Sequence, residues 1–240
     1  MNVLITGGAS GLGEAITRSL ASDPKNKVYF TYLNSVSQSN QLEQDFPNVK
    51  GLKCDFTNQL DVDTLADKFE ELELDGLVHN AYSGSFLGKH FHKTDSSDFA
   101  KQFQENVVPV LELTQAAIKV FRKKKFGKII SILTAALVGN PPVGSAAYVA
   151  NKSYLQKMAM VWASENARFN ISSNCISPAF METNFTSDMD ERMVDQIKEA
   201  HPLKRLLQTE EVAEAVSYFI NASQQVNGTD LVINAATSLK

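Results

Sequence analysis

Short apolar runs alternate along the chain with longer stretches in which apolar residues recur at helical spacing. The runs are Val3–Thr6, Val28–Tyr32, Val49–Cys54, Gly76–Asn80, Lys128–Leu133, Ile171–Ile176 and Leu231–Asn234. They are rich in Val and Ile, and charge enters mainly at Lys50 and Lys53. Runs of that kind read as strands buried on both faces, hence a parallel sheet. Between them, Leu60, Leu65, Ala66, Phe69 and Leu72 follow a helical period, and Ala146–Ala167 and Val107–Phe121 have helical character. Thr209-Glu210-Glu211-Val212 opens a further helix over Thr209–Asn221, with acids in its first turn. Strand–helix alternation from end to end predicts right-handed βαβ units and a doubly wound α/β fold. The polar segment Ser35–Asn40 and the loop Gly139-Asn140-Pro141-Pro142 are too short to be domain linkers, so residues 1–240 are expected to form one domain.

Composition narrows the function. The 240 residues are 43% hydrophobic, 9% aromatic and 21% charged, which is ordinary globular material. The net charge, 23 − 27 = −4, does not favour nucleic acid. No stretch approaches the roughly 18 uninterrupted apolar residues of a membrane span. The first residues run directly into a glycine-rich turn, so no cleavable leader is expected. Cys54 and Cys175 have no metal-ligand spacing, and a reducing cytoplasm is the expected compartment.

The first predicted strand ends in Thr6-Gly7-Gly8-Ala9-Ser10-Gly11-Leu12-Gly13, followed by Glu14-Ala15-Ile16. Glycines there permit a tight turn and close approach of the backbone to a pyrophosphate, and the following helix start offers free N–H groups and partial positive charge. The second predicted strand runs into Thr31-Tyr32-Leu33-Asn34-Ser35 without an acid. An acid near that end bonds the ribose 2′-hydroxyl of NAD. Its absence favours NADP(H) over NAD(H), with Asn34 or Ser35 available to a 2′-phosphate. Tyr148 and Lys152 stand four apart in the helical stretch Ala146–Ala167, on one face. A nearby ammonium lowers a phenol's pKa, which would let Tyr148 exchange a proton with a carbonyl or an alcohol.

Taken together, these motifs resemble the short-chain dehydrogenase/reductase family over essentially the whole chain. Thr6–Gly13 matches its Thr-Gly-x-x-x-Gly-x-Gly turn, and Tyr148 and Lys152 match its catalytic pair. Asp55, beside Phe56, matches the acid that contacts adenine. Asn80-Ala81 stands where the family carries Asn-Asn-Ala-Gly. Asn106 matches the asparagine of the proton relay. Pro178, Met181 and Thr183 fall in the loop that binds the nicotinamide end. The resemblance implies a Rossmann-type sheet of seven strands flanked by helices on both faces. It implies a nicotinamide cofactor held by Gly7, Ser10, Gly11, Leu12, Gly13, Asn34, Asp55, Phe56, Asn80, Ala81, Tyr148, Lys152, Pro178, Met181 and Thr183. Catalysis falls to Asn106, Thr134, Tyr148 and Lys152. The segments His201–Leu206, Glu210–Val216 and Val226–Thr229 are most similar to β-ketoacyl-ACP reductases, implying a 3-oxoacyl thioester substrate. A small ketone, sugar or other alcohol, and a weakly active subunit paired with an active relative, remain open.

Several positions depart from the family pattern. Thr134 replaces the usual serine, with Ser145 as a second hydroxyl that reaches the site or caps a helix; Ser131 is expected to pack. His79 and Tyr82 replace Asn and Gly, Ala179 replaces the glycine after Pro178, and Ala235-Ala236 replaces Gly-Gly. His79 is expected to be a structural donor, as are His90, His92 and His201. Tyr82 either enters the nicotinamide pocket or points outward. Phe180–Met193 is expected to form a substrate lid. The basic run Arg122-Lys123-Lys124-Lys125, with Arg168, would suit an acidic acyl carrier or simply complete a solvated helix end. The resemblance implies a homodimer or homotetramer, and the reading as a weakly active subunit implies a hetero-oligomer with a related subunit.

Overall fold

The computed structural model describes residues 1–85, 88–181, 183 and 191–238. Seven parallel strands form one sheet: β1 (Asn2–Ile5), β2 (Lys27–Tyr32), β3 (Val49–Lys53), β4 (Gly76–His79), β5 (Gly127–Ile132), β6 (Ile171–Pro178) and β7 (Asp230–Ile233). Their spatial order is β3-β2-β1-β4-β5-β6-β7. The direction of winding therefore reverses between β1 and β4, and the crevice beyond their carboxyl ends is where such sheets bind ligands.

Eight α-helices are present among the described residues: α1 (Gly11–Ala21), α2 (Val36–Asp45), α3 (Gln59–Asp67), α4 (Ser96–Asn106), α5 (Val108–Lys124), α6 (Ala146–Asn166), α7 (Glu191–Ala200) and α8 (Thr209–Asn221). Successive strand residues face opposite sides of the sheet. In β1, Val3 and Ile5 join a core with Ile16 and Leu20 of α1 and Val216 and Phe219 of α8, while Leu4 joins the opposite core with Leu113 and Phe121 of α5 and Trp162 of α6. Both faces of β1 are thus packed against apolar side chains, which is why its sequence is a continuous apolar run. No described helix is long and apolar enough to cross a membrane.

Local chemistry sets the helix ends. Asn58 accepts from the Leu60 N–H and caps α3. Gln208 and Glu211 form a capping box at the start of α8. The period through Leu72 predicts a longer α3 than the one observed, which stops at Asp67. Glu70, Glu71 and Glu73 follow, and acids oppose the helix dipole at a C-terminus. The chain instead tightens, with Lys68 and Phe69 N–H groups bonding three residues back, and Phe69 remains fully buried. The apolar stretch Val107–Phe121 becomes α5, separate from α4. Pro109 has no N–H to offer the Glu105 carbonyl, and a break between α4 and α5 follows.

Candidate active site

A cavity of about 1590 Å³ opens at the carboxyl ends of the strands. Its first wall is the turn after β1. Gly7 and Gly11 have φ of +65° and +52°, where a side chain is strained. A Cβ on Gly13 would lie 1.9 Å from the Gly7 carbonyl oxygen. The turn is tied to the sheet by the Gly7 N–H donating to Thr31 Oγ1 (2.9 Å) and by Gly8 N–H donating to the Thr31 carbonyl (2.9 Å). Ser10 precedes α1 without a side-chain cap. The first-turn N–H groups of α1, at Gly11, Leu12 and Gly13, have no intrahelical acceptor by helix geometry, and all three residues line the cavity. A glycine cradle at an uncapped helix start suits a pyrophosphate.

Asn80 braces that turn. Its amide donates to the carbonyls of Thr6 (3.1 Å) and Gly7 (3.2 Å), while Thr6 Oγ1 accepts from the N–H groups of Asn80 (2.9 Å) and Ala81 (3.0 Å). Asn80 thus holds the cofactor turn in shape as well as lining the cavity. Asp55 and Phe56 lie on the same wall. Thr57 donates to Asp55 Oδ1 from its hydroxyl (2.7 Å) and its N–H (2.9 Å), which holds the carboxyl below its usual pKa. Cys54 also borders the cavity, but burial pushes its thiol up to about 12 and leaves it inert. At the end of β2 the wall is Thr31, Tyr32 and Leu33; Asn34 follows them, exposed, at the rim beyond that wall.

The opposite wall carries Thr134, Tyr148 and Lys152, with Pro178, Met181 and Thr183 beyond them. Thr134 follows β5 and hydrogen-bonds Tyr148, the first-turn residue of α6 that faces the sheet. Burial nevertheless dominates, and the Tyr148 phenol is pushed up to about 12. Lys152 is fully buried and its ammonium donates to the Ile132 carbonyl (2.8 Å), 5.8 Å from the centre of the Tyr148 ring. Burial lowers Lys152 to about 8. The expected depression of the tyrosine by the lysine is therefore absent here: desolvation of the phenol outweighs a cation turned toward a carbonyl.

Asn106 is engaged by the loop after β4. Its Oδ1 accepts from the Ser83 N–H (2.6 Å) and its amide donates to the carbonyls of Ser83 (3.2 Å) and Gln102 (3.0 Å). Asn106 is off the wall of that cavity, and its side chain clamps the loop after β4. Ser145 neither reaches the site nor caps α6; its hydroxyl donates to the Pro142 carbonyl (2.6 Å). Ser131 is buried in β5 away from the cavity.

His79 is structural. Its Nε2 lies 2.8 Å from Thr114 Oγ1, and that hydroxyl donates to the Val110 carbonyl (2.7 Å). The threonine proton is thereby used, so His79 must donate from Nε2, and burial holds it neutral with a pKa of about 3. His201 borders the cavity, but its Nδ1 accepts from the Leu203 N–H (3.2 Å) in a turn. Tyr82 points inward: its ring meets that of Tyr148 edge-on at 5.0 Å. Thr237 and Ser238 also reach the cavity, unsignalled by any motif except their place after Ala235-Ala236. Of the expected lid, Phe180, Met181 and Met193 line the cavity, while 182 and 184–190 lie outside the described residues.

The basic run lies elsewhere. Lys123 pairs with Glu70 (2.7 Å), Lys124 with Asp75, and Arg122 donates to Asn166 (2.8 Å). These groups precede β5, as Arg168 precedes β6, and so sit at the amino edge of the sheet, away from the cavity mouth.

The model of the family described as enoyl-(acyl carrier protein) reductase matches residues 7–236. The chain belongs to the short-chain dehydrogenase/reductase family. It is 30% identical to the 3-oxoacyl-[acyl-carrier-protein] reductase MabA of Mycobacterium bovis, over 90% of this chain and 84% of the relative. It is 29% identical to Nodulation protein G of Rhizobium sp. (strain N33), over 98% and 96%. Among solved structures, a short chain dehydrogenase/reductase family protein superposes with a TM-score of 0.85 at 27% identity, covering 98% of this chain and 96% of that one. ElxO with NADP bound superposes with a TM-score of 0.85 at 25% identity, over 98% and 97%. The chain is thus an NAD(P)-dependent short-chain oxidoreductase.

Proposed function

We propose that the protein reduces the ketone of a 3-oxoacyl thioester, using NADPH, with Tyr148 as proton donor. The observation that carries this reading is the Thr134–Tyr148 hydroxyl pair, buried in the wall of the cavity that begins at the glycine turn. Two hydroxyls that reach each other can both reach one carbonyl oxygen placed between them. Gly7, Gly11 and Gly13 with the α1 N-terminus would hold the cofactor's pyrophosphate, and Lys152 with Thr183 its nicotinamide end. A bound reduced nicotinamide supplies the hydride.

Thr134 orients the substrate oxygen by donating a hydrogen bond. Tyr148 then gives its phenolic proton to that oxygen, so that the ketone becomes an alcohol. Burial favours this role, because a phenol pushed up to about 12 stays protonated at neutral pH and is a general acid by default. Lys152, held near 8, stands behind it as the next proton source. The absence of an acid after β2 leaves a 2′-phosphate unopposed, and the NADP-bound relative supports the same preference. Phe180, Met181, Met193, Ile197 and Leu206 offer an acyl chain an apolar lining.

Initial rates with NADPH test the reading, comparing an acetoacetyl thioester with free acetoacetate and with cyclic ketones. The thioester is expected to be preferred, and Tyr148→Phe to lower turnover at least about a hundredfold. Unchanged turnover in that variant removes Tyr148 from its role. A second reading, a weakly active subunit beside an active relative, draws on Tyr82, which crowds Tyr148 where the family carries glycine. Tight NADPH binding without reduction of any of these substrates would favour it.

A further inference from the structure

The loop after β4 places Tyr82 inside the catalytic pair. Its ring face lies 5.1 Å from the Lys152 ammonium, nearer than the Tyr148 ring at 5.8 Å. Its edge packs on Tyr148 at an interplanar angle of 74°. Its hydroxyl donates to Gln102 Oε1 of α4 and accepts from the Asn151 amide of α6, both at 3.4 Å. One side chain therefore touches both members of the pair and is tethered to α6, which carries them, and to α4. Asn106, which the family pattern charges with serving Lys152, is occupied with Ser83.

We propose that Tyr82 is a positioning residue for the catalytic pair, its ring face holding the Lys152 ammonium and its edge fixing the Tyr148 ring. The inference rests on the reading of Tyr148 as proton donor. A buried ammonium with one carbonyl partner is short of stabilisation. An aromatic face supplies attraction where water is excluded. The other groups around Lys152 do little of this work. The Ile132 carbonyl of β5 provides its hydrogen bond, His79 of β4 is kept neutral by burial and brings no charge to it, and Cys175 of β6 favours the charged form. Tyr148 of α6 is itself the partner to be served. Tyr82 thus maintains a protonated lysine behind the phenol, a task that a glycine at this position could not perform.

The test is a titration of Lys152 in the apoprotein, followed by the NMR resonance of a carbon-13 label on its side chain and assigned with Lys152→Met. Tyr82→Leu and Tyr82→Met keep the site apolar but remove the ring face. Either is expected to lower the lysine midpoint by about one pH unit, a tenfold loss of proton affinity. Tyr82→Phe keeps the face and is expected to restore the wild-type midpoint. In turnover, the alkaline limb of the kcat profile moves with the midpoint, while KM for the ketone changes less than kcat. Coincident midpoints in the wild type, Tyr82→Phe and the non-aromatic variants overturn the proposal. Midpoints that move while Tyr148→Phe retains full turnover would leave Tyr82 as the lysine's support and remove the proton-donor reading instead.

Discussion

Two turns at the carboxyl edge of the sheet treat backbone geometry in opposite ways. The turn after β1 puts glycine wherever the fold demands it. Gly7 and Gly11 take positive φ, and Gly13 packs so closely on the Gly7 carbonyl that no Cβ has room. The turn after β7 makes a similar demand without glycine: Ala235 and Ala236 sit at φ of +47° and +60°. Asn234 holds them there, accepting from the Ala236 N–H (3.0 Å) and donating to the carbonyl (2.9 Å) and hydroxyl (3.1 Å) of Ser238. A positive φ alone costs an alanine roughly 1–2 kcal/mol, which neighbouring hydrogen bonds can offset. A steric overlap with a backbone atom has no such remedy. Glycine is therefore indispensable at the first turn and replaceable at the second.

Substitution sharpens this contrast. Gly13→Ala has the largest expected effect: with a Cβ placed 1.9 Å from an oxygen, helix and turn must separate. Stability should fall by about 3 kcal/mol in urea unfolding, and nucleotide binding by calorimetry should be lost. Asn234→Ala comes next, at about 1–2 kcal/mol, since it strips the bonds that hold two strained residues. The smallest effect has the opposite sign. Ala235→Gly with Ala236→Gly relieves the strain but loosens the unfolded chain, and the balance should stabilise the protein by about 1 kcal/mol in the same assay. A destabilised double-glycine variant, or a Gly13→Ala protein with normal stability, would break the comparison.

A further prediction concerns Lys152, whose burial lowers its pKa from the ordinary 10.5 to about 8. Between those values the unfolded chain binds more protons than the native one, so stability rises with pH across the window. Lys152→Met should exceed the wild type in stability below pH 8, and the gap should narrow as pH rises toward 10.5. A gap independent of pH would show that the buried lysine is solvated.

All seven strands were legible because strands packed between helix layers are mainly apolar over four to seven residues, and the runs match the strands to within two residues at each end. The glycine-turn wall of the cavity was legible for a related reason: its geometry is local, carried by a turn and the helix that follows it. The roles of Asn106, Ser145 and Asn34 were not. Asn106 meets Ser83 only in the folded chain, Ser145 bonds the nearby Pro142 carbonyl in a loop whose shape has no period in the sequence, and Asn34 stands exposed just after β2. Tyr82 was undecided for the same reason. A residue in a loop has no period to say which way it faces.

By itself, the order of residues determined the sheet, its winding and the anion-binding turn, because hydrophobic periodicity and glycine stereochemistry act within a few residues. Folding alone decided which polar groups meet across the cavity and how far burial moves their protons. Tyr148 and Lys152 were chosen as a pair by their spacing. Their environment, a phenol kept neutral and an ammonium shared between a carbonyl and the Tyr82 ring, arises from desolvation by segments distant in the chain.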